Sequence, residues 1–282
     1  MAKFGFSIIS LVILTKRHKM RADQRIGRSG VSDHRTKVAE KKRMLMRAKL
    51  LDAAMRVYAE HTGPAPVIDD VIREAKVSRG TFYNYFDSLD QVLAAIGQEL
   101  SNQMTTDILP VYDVLQEPWQ RFSVGFRLFQ VRALLDRKWA GFVTRADAWP
   151  HNTLVARYMS GDLEKGKATG QFNFDRVDTA TNFLLGASAH CIQAIRQSVG
   201  EPNAYMDASV RMALASLGCS PEICERGVTF SLTYLQSWAS GELSASRPLW
   251  ALNMNSKDGR LFLSYSPGTA KSSPGGVATS SI

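Results

Sequence analysis

Apolar side chains recur three and four residues apart along most of this chain, a spacing that predicts helices rather than strands. Within residues 41–60, Ala48, Leu51, Met55 and Tyr58 form one stripe, with Leu50, Ala54 and Val57 beside it. Lys49, Asp52 and Arg56 take the other side, as in a core-facing helix. Gly63 and Pro64 end it in the loop 61–66. Ile68, Val71, Ile72 and Ala75 then predict a short second helix, and Val77 fills the turn after it. Ser78 is placed to cap a third, where its hydroxyl accepts an otherwise unpaired amide near Gly80 or Thr81. That helix would expose Arg79, Thr81, Tyr83 and Asn84. Two short helices joined by a tight turn and followed by another helix make a helix-turn-helix signature.

Ser88 caps the next helix, expected from 89 to about 108 with a stop near Pro110. An aromatic-rich helix follows from Pro118 to about Thr144, carrying Phe122, Gly125, Phe126, Phe129 and Ala133, and another from Pro150 to Lys167. Val177, Ala180, Leu184, Ala187, Cys191 and Ile195 mark a helix over 175–199. Val210, Ala213, Leu214 and Leu217 mark a shorter one ending at Gly218. Ser220 and Pro221 open the last strong helix in cap and first-turn positions, with Ile223, Gly227, Phe230, Tyr234 and Trp238 as its stripe. No period-2 stretch competes, so the fold class is all-α. An N-terminal three-helix domain with the helix-turn-helix occupies 41–97, and a larger helical domain occupies 98–242. Residues 243–282, rich in Ser, Gly, Pro, Ala and Thr, read as a flexible tail, with local docking of the short apolar piece around Leu261, Phe262 and Leu263 as the alternative.

Charge sharpens this division. Residues 16–49 hold thirteen Lys or Arg against Asp23, Asp33 and Glu40, a net of +10 where the whole chain carries +9. The basic character therefore belongs to the segment entering the first domain, and 1–40 reads as a flexible basic extension able to neutralise phosphates. A solvated tail touching nothing specific is the equally weighted alternative. The apolar run Phe4–Leu14 is far short of the ~20 residues that span a bilayer. It is followed by Lys16, Arg17, His18 and Lys19 without a small-residue cleavage pattern. Met20 as the biological start, or an unstructured extension, explains it better than an anchor, and no membrane partner is expected.

Several chemistries are absent. Cys191, Cys219 and Cys224 form no C-x-x-C pair and suit a reducing cytoplasm, and the five histidines make no H-E-x-x-H. Neither a metal nor a cofactor is expected. Gly161, Gly166 and Lys167 satisfy the front of a phosphate-binding loop, but Ala168 stands where Ser or Thr is needed and no strand precedes the run. No paired carboxylates and no nucleophile elbow point to an enzyme.

At VSRGTFYNYF, residues 77–86, the sequence resembles the TetR family of bacterial transcriptional regulators, with Val77, Ser78, Gly80, Thr81, Phe82, Tyr83 and Phe86 matching its recognition helix and following turn. The resemblance is specific over 41–97 and architectural beyond. It implies a homodimeric repressor, bound to a palindromic double-stranded DNA operator and released by a small apolar or aromatic inducer. Within it, Arg79, Thr81 and Asn84 are candidates for base edges, and Ser78, Gly80, Tyr83, Tyr85 and Lys41 for phosphates. Three positions depart from the pattern. Lys76 replaces a turn Gly, so a left-handed backbone there carries strain. Val67 replaces a capping Thr, leaving Asp69 and Asp70 to act through the helix dipole alone. Leu89 replaces a Lys and removes one phosphate contact.

The resemblance also favours a ligand cavity in the second domain. Met104, Phe122, Phe126, Phe129, Trp139, Phe142, Trp149, Tyr158 and Phe183 are candidates to line it, with His151 or His190 as polar anchor. Each taken singly is more often ordinary core. Gly186, Ala187, Ser188 and Ala189 permit close helix approach. Together with the helix ending at Trp238 they suggest a two-fold four-helix interface, with burial inside the monomer as the competing reading. A second reading within the same class is an activator or an inducer-independent regulator; the alternative from another class is a helical interaction protein whose degenerate motif no longer binds DNA, supported by Lys76 and Leu89.

Overall fold

The computed structural model describes residues 31–60, 65–144 and 154–267, and among them every regular element is helical. They fall into two compact units, one ending at Leu100 and the other starting at Ser101.

In the first unit α1 runs Val31–Glu60, so residues 31–40 of the expected extension are helix. Residues 36–44 are exposed on every side, whereas Leu50 through Ala54 are all buried. Five consecutive buried positions exceed one helical turn, so α1 is surrounded there. Asp52, expected on the solvent side, is 2% exposed for that reason. Next come α2, Ile68–Ala75, and α3, Arg79–Tyr83. Val71, Ala75, Phe82 and Phe86 supply their buried face.

Lys76 ends α2 with φ 52° and ψ 54°, the left-handed conformation the missing glycine implied. The turn's amides are satisfied, Lys76 N–H by the Arg73 carbonyl at 3.2 Å and Val77 N–H by that of Ile72 at 3.2 Å. At the other end of α2 the dipole does not act alone. The Asp70 carboxylate accepts the Val67 N–H at 3.0 Å, which supplies half of a capping box without a capping hydroxyl.

Helix α4, Leu89–Tyr112, starts as expected, with Ser88 Oγ accepting the Gln91 N–H at 3.2 Å. It passes through Pro110 instead of stopping at 108. A proline so near the end removes one internal hydrogen bond and no more, since the Asp113 N–H still reaches the Leu109 carbonyl at 2.9 Å.

The second unit is built around α5, Pro118–Leu135, which is buried almost throughout from Phe122 to Leu134. The expected single helix over 118–144 breaks at Asp136, whose carboxylate accepts the Trp139 N–H at 3.0 Å and starts α6, Arg137–Val143. Helices α7, Leu154–Ala168, α8, Val177–Arg196, α9, Pro202–Ser216, and α10, Pro221–Ser240, complete the bundle. The phosphate-loop lookalike lies inside α7, where Gly166 is required by packing: a Cβ would come within 2.1 Å of the Phe172 ring.

Residues 243–267 are not a free tail. A 3₁₀ segment, Leu249–Asn255, and α11, Lys257–Ser264, bury Ala251, Met254 and Phe262. Gln236 donates to the carbonyls of Phe262 at 2.8 Å and Tyr265 at 2.9 Å, and Asn203 to that of Leu261 at 3.0 Å. Trp250 packs edge-on to Trp238, with ring centres 5.7 Å apart. Short apolar clusters inside a Ser- and Gly-rich composition hid this segment from a periodicity argument.

Beneath it lies a buried charge pair. Arg127 is wholly enclosed, 2.7 Å from Asp207, and donates to Ser231 Oγ at 2.9 Å. Tyr265 donates to the same Asp207 carboxylate at 2.8 Å. Among the described residues no helix is long and apolar enough to cross a membrane.

Candidate functional site

Helix α3, the candidate recognition helix, is short and locally determined. Ser78 Oγ accepts the Thr81 N–H at 3.1 Å and lies 2.8 Å from Thr81 Oγ1, so the two hydroxyls and the first turn form one unit. On the inner side Phe82 and Phe86 are buried, 6.2 Å apart, with the Arg47 guanidinium 5.4 Å from the Phe86 ring centre. On the outer side Arg79, Gly80, Tyr83 and Asn84 are exposed and Thr81 and Tyr85 partly so. A Cβ on Gly80 would meet nothing closer than Ser78 Oγ at 3.9 Å, so the fold does not require glycine there. What glycine does at this position is leave the backbone approachable from outside. Lys41 stands exposed on α1.

One partner was not foreseen. Asp69, read from the sequence only as a helix-dipole residue, places both carboxylate oxygens against Nη2 of Arg79, at 2.8 and 2.9 Å. The two residues are ten apart and no local spacing rule joins them.

The second unit holds a narrow cavity of about 40 Å³ between α4, α5, α7 and α8. Of the expected lining, Phe122, Phe126, Phe129 and Tyr158 are there. Met104 and Trp139 are buried away from it, and Phe142 is not among its walls. Phe183 is 63% exposed and His190 is exposed with its Nδ1 3.0 Å from the Gly186 carbonyl, so neither faces the cavity. The reason is the phase of α8: it buries Leu184, Leu185, Ser188 and Ile192, which turns Phe183, Gly186 and His190 outward. Trp149 and His151 lie outside the described residues.

The cavity's polar end is made by residues that sequence reasoning missed. Asp162 accepts hydrogen bonds from the Tyr112 phenol and from Arg121 Nε, the latter at 2.6 Å, and the Arg121 guanidinium lies 4.2 Å from the Tyr112 ring centre. Burial first, and the Asp162 charge second, push the Tyr112 phenol well above its ordinary value. It stays a neutral donor. Arg121 balances Asp162, so the site presents polarity with no net charge. Three residues 41 and 50 positions apart give no sequence signal.

The stretch of small residues on α8 divides. Ser188 is buried at the cavity wall and Ala187 packs on the core, whereas Gly186 is exposed and a Cβ there would meet nothing within 4 Å. Among the described residues no group of three or more His, Cys, Asp or Glu is placed to hold a metal ion.

Comparison with known proteins bears on both parts. Residues 50–96 match the family model described as bacterial regulatory proteins, tetR family. The HTH-type transcriptional regulator BetI of Rhizobium meliloti (strain 1021) is 26% identical over 171 residues, covering 59% of this chain and 84% of that protein. Among solved structures, RolR in complex with resorcinol is similar with a TM-score of 0.54 at 24% identity, covering 67% of this chain and 95% of that one. RolR without ligand gives 0.51 at 24% identity, covering 64% and 95%. The likeness to RolR establishes the shared fold.

Proposed function

Because the chain belongs to the TetR family of bacterial regulatory proteins, DNA-binding regulators of transcription, we propose that it is a cytoplasmic, homodimeric repressor that leaves a palindromic operator when a small apolar or aromatic compound enters the second unit. The observation that carries the reading is the recognition helix, capped by Ser78, locked inward by Phe82 and Phe86, and outwardly composed of donors. In this reading Arg79, Thr81 and Asn84 meet base edges in the major groove, and Ser78, Gly80, Tyr83, Tyr85 and Lys41 meet phosphates. Residues 41–97 serve as the DNA-binding domain and 98–242, together with the packed segment 243–267, as the ligand and dimerisation domain, with no enzymatic step and no cofactor.

Two features support induction. The cavity is far smaller than the ~300–1,000 Å³ of small-molecule sites, so a ligand would have to move its walls and thereby favour one conformation over another. Helix α4 belongs to both units, beginning just after the recognition helix and reaching the cavity at Thr105, Ile108 and Tyr112. The ring-lined wall with an uncharged polar end suits a flat ring bearing a hydroxyl, and RolR, of the same fold, holds resorcinol. The alternative of a degenerate, non-binding motif is the weaker reading, since the Lys76 turn keeps its hydrogen bonds.

Mobility shift on the DNA upstream of its own gene tests the reading. Arg79→Ala is expected to relax sequence preference, and Tyr83→Phe to weaken binding evenly across sequences, each by ~1–3 kcal/mol. Unchanged binding in the double variant would defeat the assignment of the helix. Phenolic compounds that raise the melting temperature are expected to release the DNA; stabilisation without release would leave a packing cavity only.

A further inference from the structure

The Asp69–Arg79 pair joins α2 to α3 at the surface. Both side chains are about three-fifths exposed, 61% and 63%, and a pair so open to water contributes little to stability. The neighbouring Asp70 is occupied within its own helix by the Val67 N–H and Arg73. Asp69 is not: among the described residues its side chain meets Arg79. It does so through Nη2 alone, which leaves the Nε and Nη1 N–H groups, three of the guanidinium's five donors, without a partner among those residues.

We infer that Asp69 is a positioning residue for base readout, holding Arg79 by one nitrogen so that its remaining donors meet a guanine edge instead of a phosphate. The inference rests on the proposed role of Arg79 at the bases. An untethered arginine is long, rotamer-rich and permanently charged. Beside DNA the nearest phosphate attracts it whatever the sequence. Asp69 changes both terms. It fixes the orientation of the guanidinium, and its own negative charge offsets the pull of the phosphates, while an Nη1–H left over can still donate to the neutral N7 or O6 acceptor of guanine. The residue therefore lowers affinity for DNA in general and raises discrimination among sequences.

Selection of binding sites from a random-sequence duplex library tests this, using the full chain, Asp69→Asn, Arg79→Ala and the double variant, each checked for unchanged helix content. The original chain is expected to enrich sites with one strongly preferred guanine in each half-site. Arg79→Ala should lose that preference. Asp69→Asn should weaken it about five- to ten-fold. In the same variant, affinity for unselected duplex should rise and the log–log salt slope steepen by about 0.9, the value of one additional neutralised phosphate. The double variant should behave as Arg79→Ala. An Asp69→Asn protein with the full guanine preference, beside an Arg79→Ala protein that lacks it, would overturn the inference and leave Arg79 as a base reader. Guanine preference retained in Arg79→Ala would remove Arg79 from the base contacts, and the inference with it.

Discussion

Lys76 holds a backbone conformation that costs a residue with a Cβ about 1–2 kcal/mol. Lys76→Gly relieves that strain but loosens the unfolded chain, so a net gain of about 1 kcal/mol is expected in urea denaturation; a loss would show that the lysine side chain contributes elsewhere. The opposite case is Arg127, fully enclosed and facing Asp207. Burial lowers its proton affinity below the ordinary value while Asp207 restores part of it, and the guanidinium stays charged throughout. Asp207→Ala is expected to destabilise the protein by about 3–5 kcal/mol, because it strands a buried cation; a loss under about 1 kcal/mol in a denaturant titration would count against that account. The two kinds of residue also differ in how visible they were. Ser78, Ser88 and Ser220 were legible as caps because cap chemistry acts within three residues. Arg127 and Asp207 were not, since a pair 80 positions apart leaves no local pattern and Arg127 sits in an otherwise aromatic stripe.

At the level of elements, the helix-turn-helix was readable because the hydrophobic period and the Ser78 cap agree over 67–93, even with Lys76 in the turn. The C-terminal segment was legible only at the apolar piece around Phe262, because its other buried residues, among them Ala251 and Met254, are too few for a period. Its attachment gives a pH prediction. Burial, then Asp207, raise the Tyr265 phenol from its ordinary 10.0 to about 12. The protonated phenol is thus favoured by folding: its contribution is complete below pH 10 and lost as pH rises through 12. The segment is expected to loosen in that window, with a change in fluorescence from the Trp238–Trp250 pair. Tyr265→Phe should remove that step, and its survival would place the transition elsewhere. The basic face entering α1 has a different readout. Deleting residues 1–40 is expected to lower DNA affinity and flatten its salt dependence, by about 0.9 in log–log slope for each phosphate that is no longer neutralised. An unchanged slope would make the arm passive.

On the scale of the whole molecule, α8 presents Phe183, Gly186 and His190 outward on one face. If two copies meet there, the recognition helices can address half-sites about one DNA turn, ~34 Å, apart. Gly186→Arg or Phe183→Arg is expected to give monomers in sedimentation and to lose cooperative operator binding; dimers in both variants would move the interface to another surface. The second unit also has an order of completion built into it. Trp250, over the buried Arg132 guanidinium at 4.7 Å, and Tyr265, on Asp207, are supplied by the last described stretch of sequence. During synthesis a chain emerges amino end first, so these two charge centres stay open to water until residue 265 has left the ribosome. A stop codon between 243 and 265 would therefore release a chain with an intact first unit and an unsealed second unit, which on the function proposed above would separate the binding of DNA from its release.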